Sequence, residues 1–132
     1  MKYKEFVGQV QHRARLGTQG ETVRAIHATL ETLGERIVAD EATQLAAQLP
    51  QEIGHYLQLA DTSDRFSLDE FLQRVAKREK VDLPDATHHV RAVISVLQEA
   101  VTGNQIEHVL AQLPNEYRPL FTAGSEGEMR TA

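Results

Sequence analysis

The chain has 132 residues, of which 41 % are hydrophobic and 25 % are charged, values typical of one soluble globular domain. Its formal net charge is −5, whereas a protein that binds nucleic acid normally presents a basic face to the phosphates. Cysteine is absent, which excludes disulfides and thiolate zinc sites and suits a reducing cytoplasm. No apolar run is long enough to cross a bilayer. We therefore expect a cytoplasmic domain that binds neither nucleic acid nor a membrane.

The first half of the chain has the pattern of four helices. Apolar residues three and four positions apart predict a helix over residues 3–14. Thr18 and Glu21 have the spacing of a capping box, which predicts the start of a long second helix that continues to Ile37. Asp40 is the predicted N-cap of a third helix, and a short fourth helix follows it.

The second half repeats this order. Ser67 and Thr102 each precede an acid or amide by three residues, and Asp82 stands before a long apolar stripe, so all three predict helix starts. Pro119 is expected to kink the last helix or to confine it to little more than one turn, because proline disrupts a helix interior.

A duplicated stretch is the strongest signal in the sequence. The pattern A-Q-L-P-x-E occurs at residues 47–52 and again at residues 111–116. Since proline disfavours the α region for the residue before it, each leucine is predicted to end one helix, and each proline to begin the next. Each glutamine is expected to hydrogen-bond free backbone groups at its own corner, in preference to contacting a partner. These structural corners comprise Gln48, Leu49, Pro50, Gln112, Leu113 and Pro114.

These patterns predict an all-α protein with eight helices, arranged as two tandem pseudo-symmetric four-helix units in one globular domain of residues 1–121. The repeat units are residues 3–59 and 67–121, and a polar linker, residues 60–66, joins them. Residues 122–132 have no apolar pattern and are expected to form a flexible tail.

Each half contains the pattern F-x3-V, a V-R-A-[IV] segment in its long helix, and the A-Q-L-P-x-E corner. The first two are Phe6 with Val10, Phe71 with Val75, residues 23–26 and residues 90–93. By this alignment the counterpart of His88 is Glu21. Together the patterns resemble a family of small all-helical bacterial proteins known as a domain of unknown function, over residues 3–121. The resemblance implies an all-α fold in a bacterial cytoplasm, and no catalytic residue, cofactor or substrate.

Histidines and acids at helical spacing are weak candidates for a metal site. Glu52 with His55 and Asp85 with His88 have carboxylate-x-x-His spacing, which helix bundles with two metal ions use in paired motifs. His89 adds a half-site beside His88. The two motifs lie on non-equivalent helices, however, and chance produces this spacing often. We therefore expect surface histidines and no cofactor.

No motif for covalent catalysis is present. The sequence has no P-loop, no dinucleotide fingerprint and no serine on a glycine-flanked elbow. Ser67 is explained by helix capping, Ser63 lies in the linker, and Ser125 lies in the tail. We expect the protein not to be an enzyme.

Arginines are interpreted as surface residues. Arg24 and Arg91 are each expected to pair with a nearby acid, or alternatively with a carboxylate of the other half. A basic patch is expected to form the solvated side of a helix near its C-terminus, in preference to a weak contact with an anionic surface. It comprises Arg74, Lys77, Arg78 and Lys80. The nearby acids are Glu21, Asp85 and Glu99, and those of the other half are Glu52 and Glu116.

The predicted function is that of a non-enzymatic protein-interaction or scaffold module. It would bind another protein, or a second copy of itself, through the groove between its halves. The alternative is a helical bundle that binds a metal or a small ligand through His55, His88 and His89 with neighbouring carboxylates.

Overall fold

A computed structural model describes the backbone of residues 1–126 and the side chains of residues 1–122. Over that range the protein contains eight α-helices, two short 3₁₀ turns and no strand, which confirms the predicted all-α class. No helix in the same range is long and apolar enough to cross a membrane. The elements are α1 (Tyr3–Ala14), α2 (Gln19–Arg36), α3 (Ala39–Ala47), α4 (Gln51–Gly54), a 3₁₀ turn (His55–Gln58), α5 (Leu68–Glu79), α6 (Leu83–Ala100), α7 (Gly103–Ala111), a second 3₁₀ turn (Asn115–Tyr117) and α8 (Arg118–Glu126).

Four helix starts lie where their capping residues predict them. Thr18 Oγ1 accepts a hydrogen bond from the backbone N–H of Glu21, and the carboxylate of Glu21 accepts one from Thr18 N–H, which completes a capping box. Ser67, Asp82 and Thr102 each accept a hydrogen bond from the backbone N–H three residues later. These side chains satisfy N–H groups that have no partner inside their own helix.

The third helix starts earlier than predicted. Its N-cap is Val38, not Asp40, and the side chain of Val38 makes no capping bond. Instead, the N–H of Val38 donates to Gln112 Oε1 from the second half, at 3.0 Å. Asp40 lies in the first turn, where its charge still interacts favourably with the helix dipole.

The proline corners are longer than predicted. Helix α3 ends at Ala47, and Pro50 is the extended N-cap of α4 (ψ 141°), so neither Leu49 nor Pro50 belongs to a helix. The corner of the second half follows the same pattern. Leu49 and Leu113 each pack into the core with 8 % of their surface exposed.

Pro119 does not break the last helix. It is the second residue of α8, in the first turn, where a helix requires no N–H donor. Helix α8 therefore continues to Glu126, and the predicted tail does not begin at residue 122. The rest of the predicted tail, residues 127–132, lies outside the described residues.

The two long helices lie at the centre of the molecule. Helix α1 packs against both α2 and α6, and α5 also packs against both. Helix α8 covers a further face of α6. Both halves consequently contribute to a shared core, which is mainly aliphatic.

The helices of the two halves have matching lengths. Helices α1 to α3 have 12, 18 and 9 residues, and α5 to α7 have the same three lengths. The N-caps Thr18 and Asp82, and the C-caps Ile37 and Val101, align α2 with α6 at an offset of 64 positions.

This register corrects the alignment of the V-R-A motifs, which lie 67 positions apart. The motif alignment is wrong by three residues because an apolar stripe with spacings of three and four is nearly unchanged by such a shift. The counterpart of His88 is therefore Arg24, not Glu21. That of His89 is Ala25.

Candidate functional site

A polar cleft of about 400 Å³ lies between the two halves, where the end of α1 and the start of α2 meet the end of α5 and the start of α6. Three predicted candidates, Asp85, His88 and His89, line it. We call it the histidine cleft. It is lined by Ala14, Arg15, Leu16, Glu21, Arg24, Glu79, Val81, Asp85, His88 and His89.

Several lining residues occupy matching positions in the two halves. Glu21 and Asp85 are the third residues of α2 and α6, and Arg24 and His88 are the sixth. The cleft thus lies at the junction of equivalent helix ends, which places carboxylates from both halves around the same space.

A buried pair of polar side chains, Glu79 and His89, forms part of the wall. Glu79 is 2 % exposed and His89 is 7 % exposed, and Nδ1 of His89 lies within hydrogen-bonding distance of Oε2 of Glu79. The second carboxyl oxygen, Oε1 of Glu79, is buried and has no hydrogen-bond partner in the described part of the chain. An unsatisfied buried polar group costs about 1–3 kcal/mol, so most such groups are paired. Packing alone therefore does not explain this carboxyl group.

The first half has small apolar residues at the corresponding positions. Ala14 is the last residue of α1, as Glu79 is of α5, and Ala25 corresponds to His89 in α2. Both alanines are buried. The helix junction can therefore be built without a carboxyl group and an imidazole.

His88 lies beside this pair, with part of its side chain exposed to solvent and part buried. Partial burial of its imidazole, and then the charge of His89, lower the pKa of His88 below the ordinary 6.5. Arg15 and Arg24 also line the cleft with exposed side chains. A ligand therefore meets carboxylates, guanidinium groups and an imidazole in one space.

The other predicted metal candidates lie elsewhere. Glu52 and His55 are exposed on α4 and the following 3₁₀ turn, where His55 packs edge-on to Tyr56 at 5.2 Å between ring centroids. Burial and the charge of His55 lower the pKa of His27, which stacks on Tyr56. No three His, Asp or Glu side chains in residues 1–122 are placed to share a metal ion. His55 does not line the histidine cleft, so the structure places it apart from His88 and His89.

The corner glutamines bond to the opposite half, not to their own corners. Gln48 Oε1 accepts from the N–H of Thr102 at 2.8 Å, and Gln112 Oε1 accepts from the N–H of Val38 at 3.0 Å. At the first corner, the N–H groups of Gln48 and Leu49 already donate to carbonyls of the preceding turn. Each glutamine side chain is therefore available to cap the third helix of the other half.

A buried acid and amide connect these glutamines. Gln112 Nε2 donates to Oε1 of Glu41 at 3.1 Å, Gln48 Nε2 donates to Gln105 Oε1 at 3.2 Å, and Gln105 donates to Glu41. Glu41 and Gln105 are 7 % and 5 % exposed. We call these four residues the corner network. Sequence reasoning missed Glu41, whose only signal is its place 64 positions before Gln105.

Arg24 and Arg91 do not pair as expected. Neither forms an ion pair within the described residues, on its own helix or across the halves, so both expectations are wrong. Two of the acids proposed for them have other partners. Glu99 pairs with Arg13 at 2.8 Å, and Glu116 accepts a hydrogen bond from the N–H of Leu68.

Arg74 and Arg78 are not simply solvated. Arg78 Nη2 lies 2.6 Å from Glu35 Oε2, and Arg74 Nη1 lies 3.2 Å from Glu35 Oε1, so both arginines join α5 to α2. The hydrogen bonds that Arg78 donates are the main cause that lowers the pKa of Glu35. The charge of Arg78, and the hydrogen bond and charge of Arg74, lower this pKa further, whereas partial burial of Glu35 opposes them. The expectation failed because the acid that pairs with them lies on another helix.

Residues 3–120 match the model of a protein family described as "Uncharacterized conserved protein (DUF2267)". No curated protein matches the sequence.

Proposed function

Since the chain belongs to the DUF2267 family, whose description names no activity, we infer its function from its own contacts and propose that it is a non-enzymatic protein-interaction module. The proposed binding site is the histidine cleft, and the proposed partner is another protein, or a second copy, that presents a lysine or arginine side chain. The observation that carries the proposal is the buried Oε1 of Glu79, which has no hydrogen-bond partner in the described part of the protein.

Charge favours a cationic group in this cleft. A hydrogen bond from an ammonium or guanidinium group to a carboxylate is roughly twice as strong as one between neutral groups. Such a donor would satisfy Glu79 and would also lie near Glu21 and Asp85. Glu21 and Asp85 are exposed, as are Arg15 and Arg24, so solvent and salt screen both pairs, and the buried Glu79 sets the preference. A volume of about 400 Å³ lies within the range of about 300–1,000 Å³ that is common for ligand pockets, so a lysine or arginine side chain has room to enter.

Two serine hydroxyl groups already have structural hydrogen-bond partners, which supports a binding role over a catalytic one. Ser67 Oγ caps α5, and the buried Ser95, which sequence reasoning overlooked, accepts a hydrogen bond from Arg13. His89 is largely buried and its Nδ1 faces Glu79, which leaves little of the imidazole for proton transfer to a substrate.

The setting we propose is the cytoplasm, a reducing compartment where disulfides are rare, which suits a chain without cysteine. With a formal net charge of −5, we propose no role in binding nucleic acid or an anionic membrane surface.

The test is isothermal titration calorimetry with two capped tripeptides, acetyl-Gly-Lys-Gly-amide and its norleucine analogue, which replaces the ammonium group with a methyl group. The lysine peptide is expected to bind at least about tenfold more tightly, equivalent to about 1.4 kcal/mol. Glu79→Gln, which keeps the size of the side chain, is expected to remove this preference while the melting temperature confirms folding. Equal affinity for the two peptides would contradict the proposal.

A further inference from the structure

A second groove between the halves shares no lining residue with the histidine cleft. It has a volume of about 560 Å³, within the range of about 300–1,000 Å³ that is common for ligand pockets. Arg36, Ser63 and Arg65 line one part, and residues 111–114 of the second corner line another. We call it the arginine groove.

Arg36 is held in the wall of this groove by aromatic rings and one carbonyl. It is 8 % exposed, and its Nε donates to the backbone carbonyl of Phe66 at 2.8 Å. Its Cζ lies 5.3 Å from the ring centroid of Tyr117 and 5.9 Å from that of Phe66. The Tyr117 hydroxyl donates to the same Phe66 carbonyl at 2.7 Å. These contacts fix the orientation of the guanidinium group.

This guanidinium group has no carboxylate partner in the described residues. The adjacent Glu35 is engaged by Arg74 and Arg78, and Asp64 also pairs with Arg74. Buried charges are normally paired, and a guanidinium group has five N–H donors, more than the Phe66 carbonyl and the Tyr117 hydroxyl can engage. Arg36 is thus a preoriented cation with donors to spare, at the edge of a groove.

A second cation lies in the same groove. Arg65 is exposed and forms no ion pair in the part of the chain that the structure describes. We propose that the arginine groove binds the carboxylate group of a ligand, with two parallel hydrogen bonds from Arg36 and an additional attraction from Arg65. A planar guanidinium fork matches the geometry of a carboxylate.

The surrounding charge favours a single-charged carboxylate over a dianionic phosphate. Residues 31–64 contain seven acids, and Arg36 is their only Lys or Arg. Their field opposes the approach of any anion, and the cost grows with the charge of that anion. This site is independent of the histidine cleft, so either can fail without the other.

The test follows the Arg36 Nε–H and Gln112 backbone signals by NMR during titration with acetyl-Gly-Glu-Gly-amide, its glutamine analogue, butyrate and inorganic phosphate at constant ionic strength. We expect saturable shifts with the glutamate peptide and none with the glutamine peptide. Binding of butyrate as well would identify a free organic acid as sufficient, whereas binding of the peptide alone would identify a protein segment. Tighter binding of phosphate, or no saturable shift with either carboxylate, would overturn the proposal.

Variants provide the control for position. Arg36→Lys keeps the charge but loses the planar fork, and it is expected to weaken binding of the glutamate peptide roughly tenfold. Arg65→Gln, at an exposed site without an ion pair in the described residues, is expected to weaken it severalfold with an unchanged melting temperature. Arg91→Gln removes an exposed arginine outside the groove and should have no effect. An equal loss of affinity for the glutamate peptide in Arg91→Gln would show that overall charge, and not position, controls binding. That result would overturn the assignment.

Discussion

At the scale of single residues, the two halves differ most clearly where Glu79 and His89 replace the alanines at positions 14 and 25. The polar pair is almost fully buried, whereas the matched positions of the first half pack without polar atoms in their side chains. A buried pair often contributes less to stability than well-packed apolar residues would, because both groups lose their hydration. Stability alone therefore does not account for this pair, in line with the binding role proposed for the cleft.

Removing both members of this pair should cost less than the sum of the losses from removing each one alone. Glu79→Ala or His89→Ala leaves a buried polar partner behind, which costs about 3–5 kcal/mol when a buried pair is broken. The double variant restores the alanines of the first half, so its loss should fall below the sum of the single losses by at least about 1 kcal/mol. Urea unfolding of the four proteins measures this coupling. Additive losses would show that the two side chains do not act as a pair.

Two histidines predict how stability changes with pH. Burial is the main cause that lowers the pKa of both His27 and His88 below 6.5, so the folded state resists their protonation. Their contribution is present above pH 6.5 and is lost as the pH falls through 6.5 towards the folded pKa values. The free energy of unfolding should therefore fall between about pH 7.5 and about pH 5.5. A His27→Gln/His88→Gln variant should show a smaller fall in urea titrations, and an unchanged slope would contradict this assignment.

At the scale of helices, most starts could be predicted because they depend on neighbours in the sequence. Thr18, Ser67 and Thr102 cap helices through the backbone three residues ahead, which is a local contact. The start of α3 could not be predicted, because the group that satisfies Val38 is Gln112, 74 residues away in the chain. Pro119 was misjudged because the start of its helix, and hence its position in the first turn, had no local signal.

The contact between α2 and the 3₁₀ turn at residues 55–58 depends on Gly34. This glycine is buried, and a Cβ atom there would clash with the carbonyl group of Leu57. Gly34→Ala is therefore expected to destabilise the fold by about 1–3 kcal/mol, as overpacking usually does. Gly20→Ala is the matched control, since Gly20 also lies in α2 but has open space around it. Gly20→Ala should stabilise the helix by roughly 0.5–1 kcal/mol. Thermal unfolding measures both variants, and equal shifts of their melting temperatures would contradict this contrast.

At the scale of the whole molecule, sequence reasoning missed the residues whose partners lie on other elements of the fold. The carboxylate-x-x-His spacing identified Asp85 and His88 on one helix, and both line the cleft. Glu79 was missed because its partner His89 lies on another helix, and in sequence it stands among the basic residues at the end of α5. The role of Arg36 likewise has no sequence signal, since the rings that hold it come from distant segments.

The corner network predicts unequal effects for two similar glutamines. Gln112 donates to the buried carboxylate of Glu41, whereas Gln48 donates to the neutral amide of Gln105. A hydrogen bond to a charged group contributes about 1.5–3 kcal/mol and one between neutral groups about 0.5–1.5 kcal/mol. Gln112→Ala should therefore lower the free energy of unfolding more than Gln48→Ala. Equal losses in urea unfolding, or a larger loss for Gln48→Ala, would contradict this role for Glu41.

The claim that the histidine cleft is a binding site is tested most directly by NMR chemical-shift mapping with acetyl-Gly-Lys-Gly-amide. Saturable shifts are expected in the backbone signals around Arg15, Val81 and Asp85, which come from both halves, and they should disappear in folded Glu79→Gln. Shifts confined to the arginine groove, shifts that persist in Glu79→Gln, or no saturable shift at all would contradict the proposed role of the cleft.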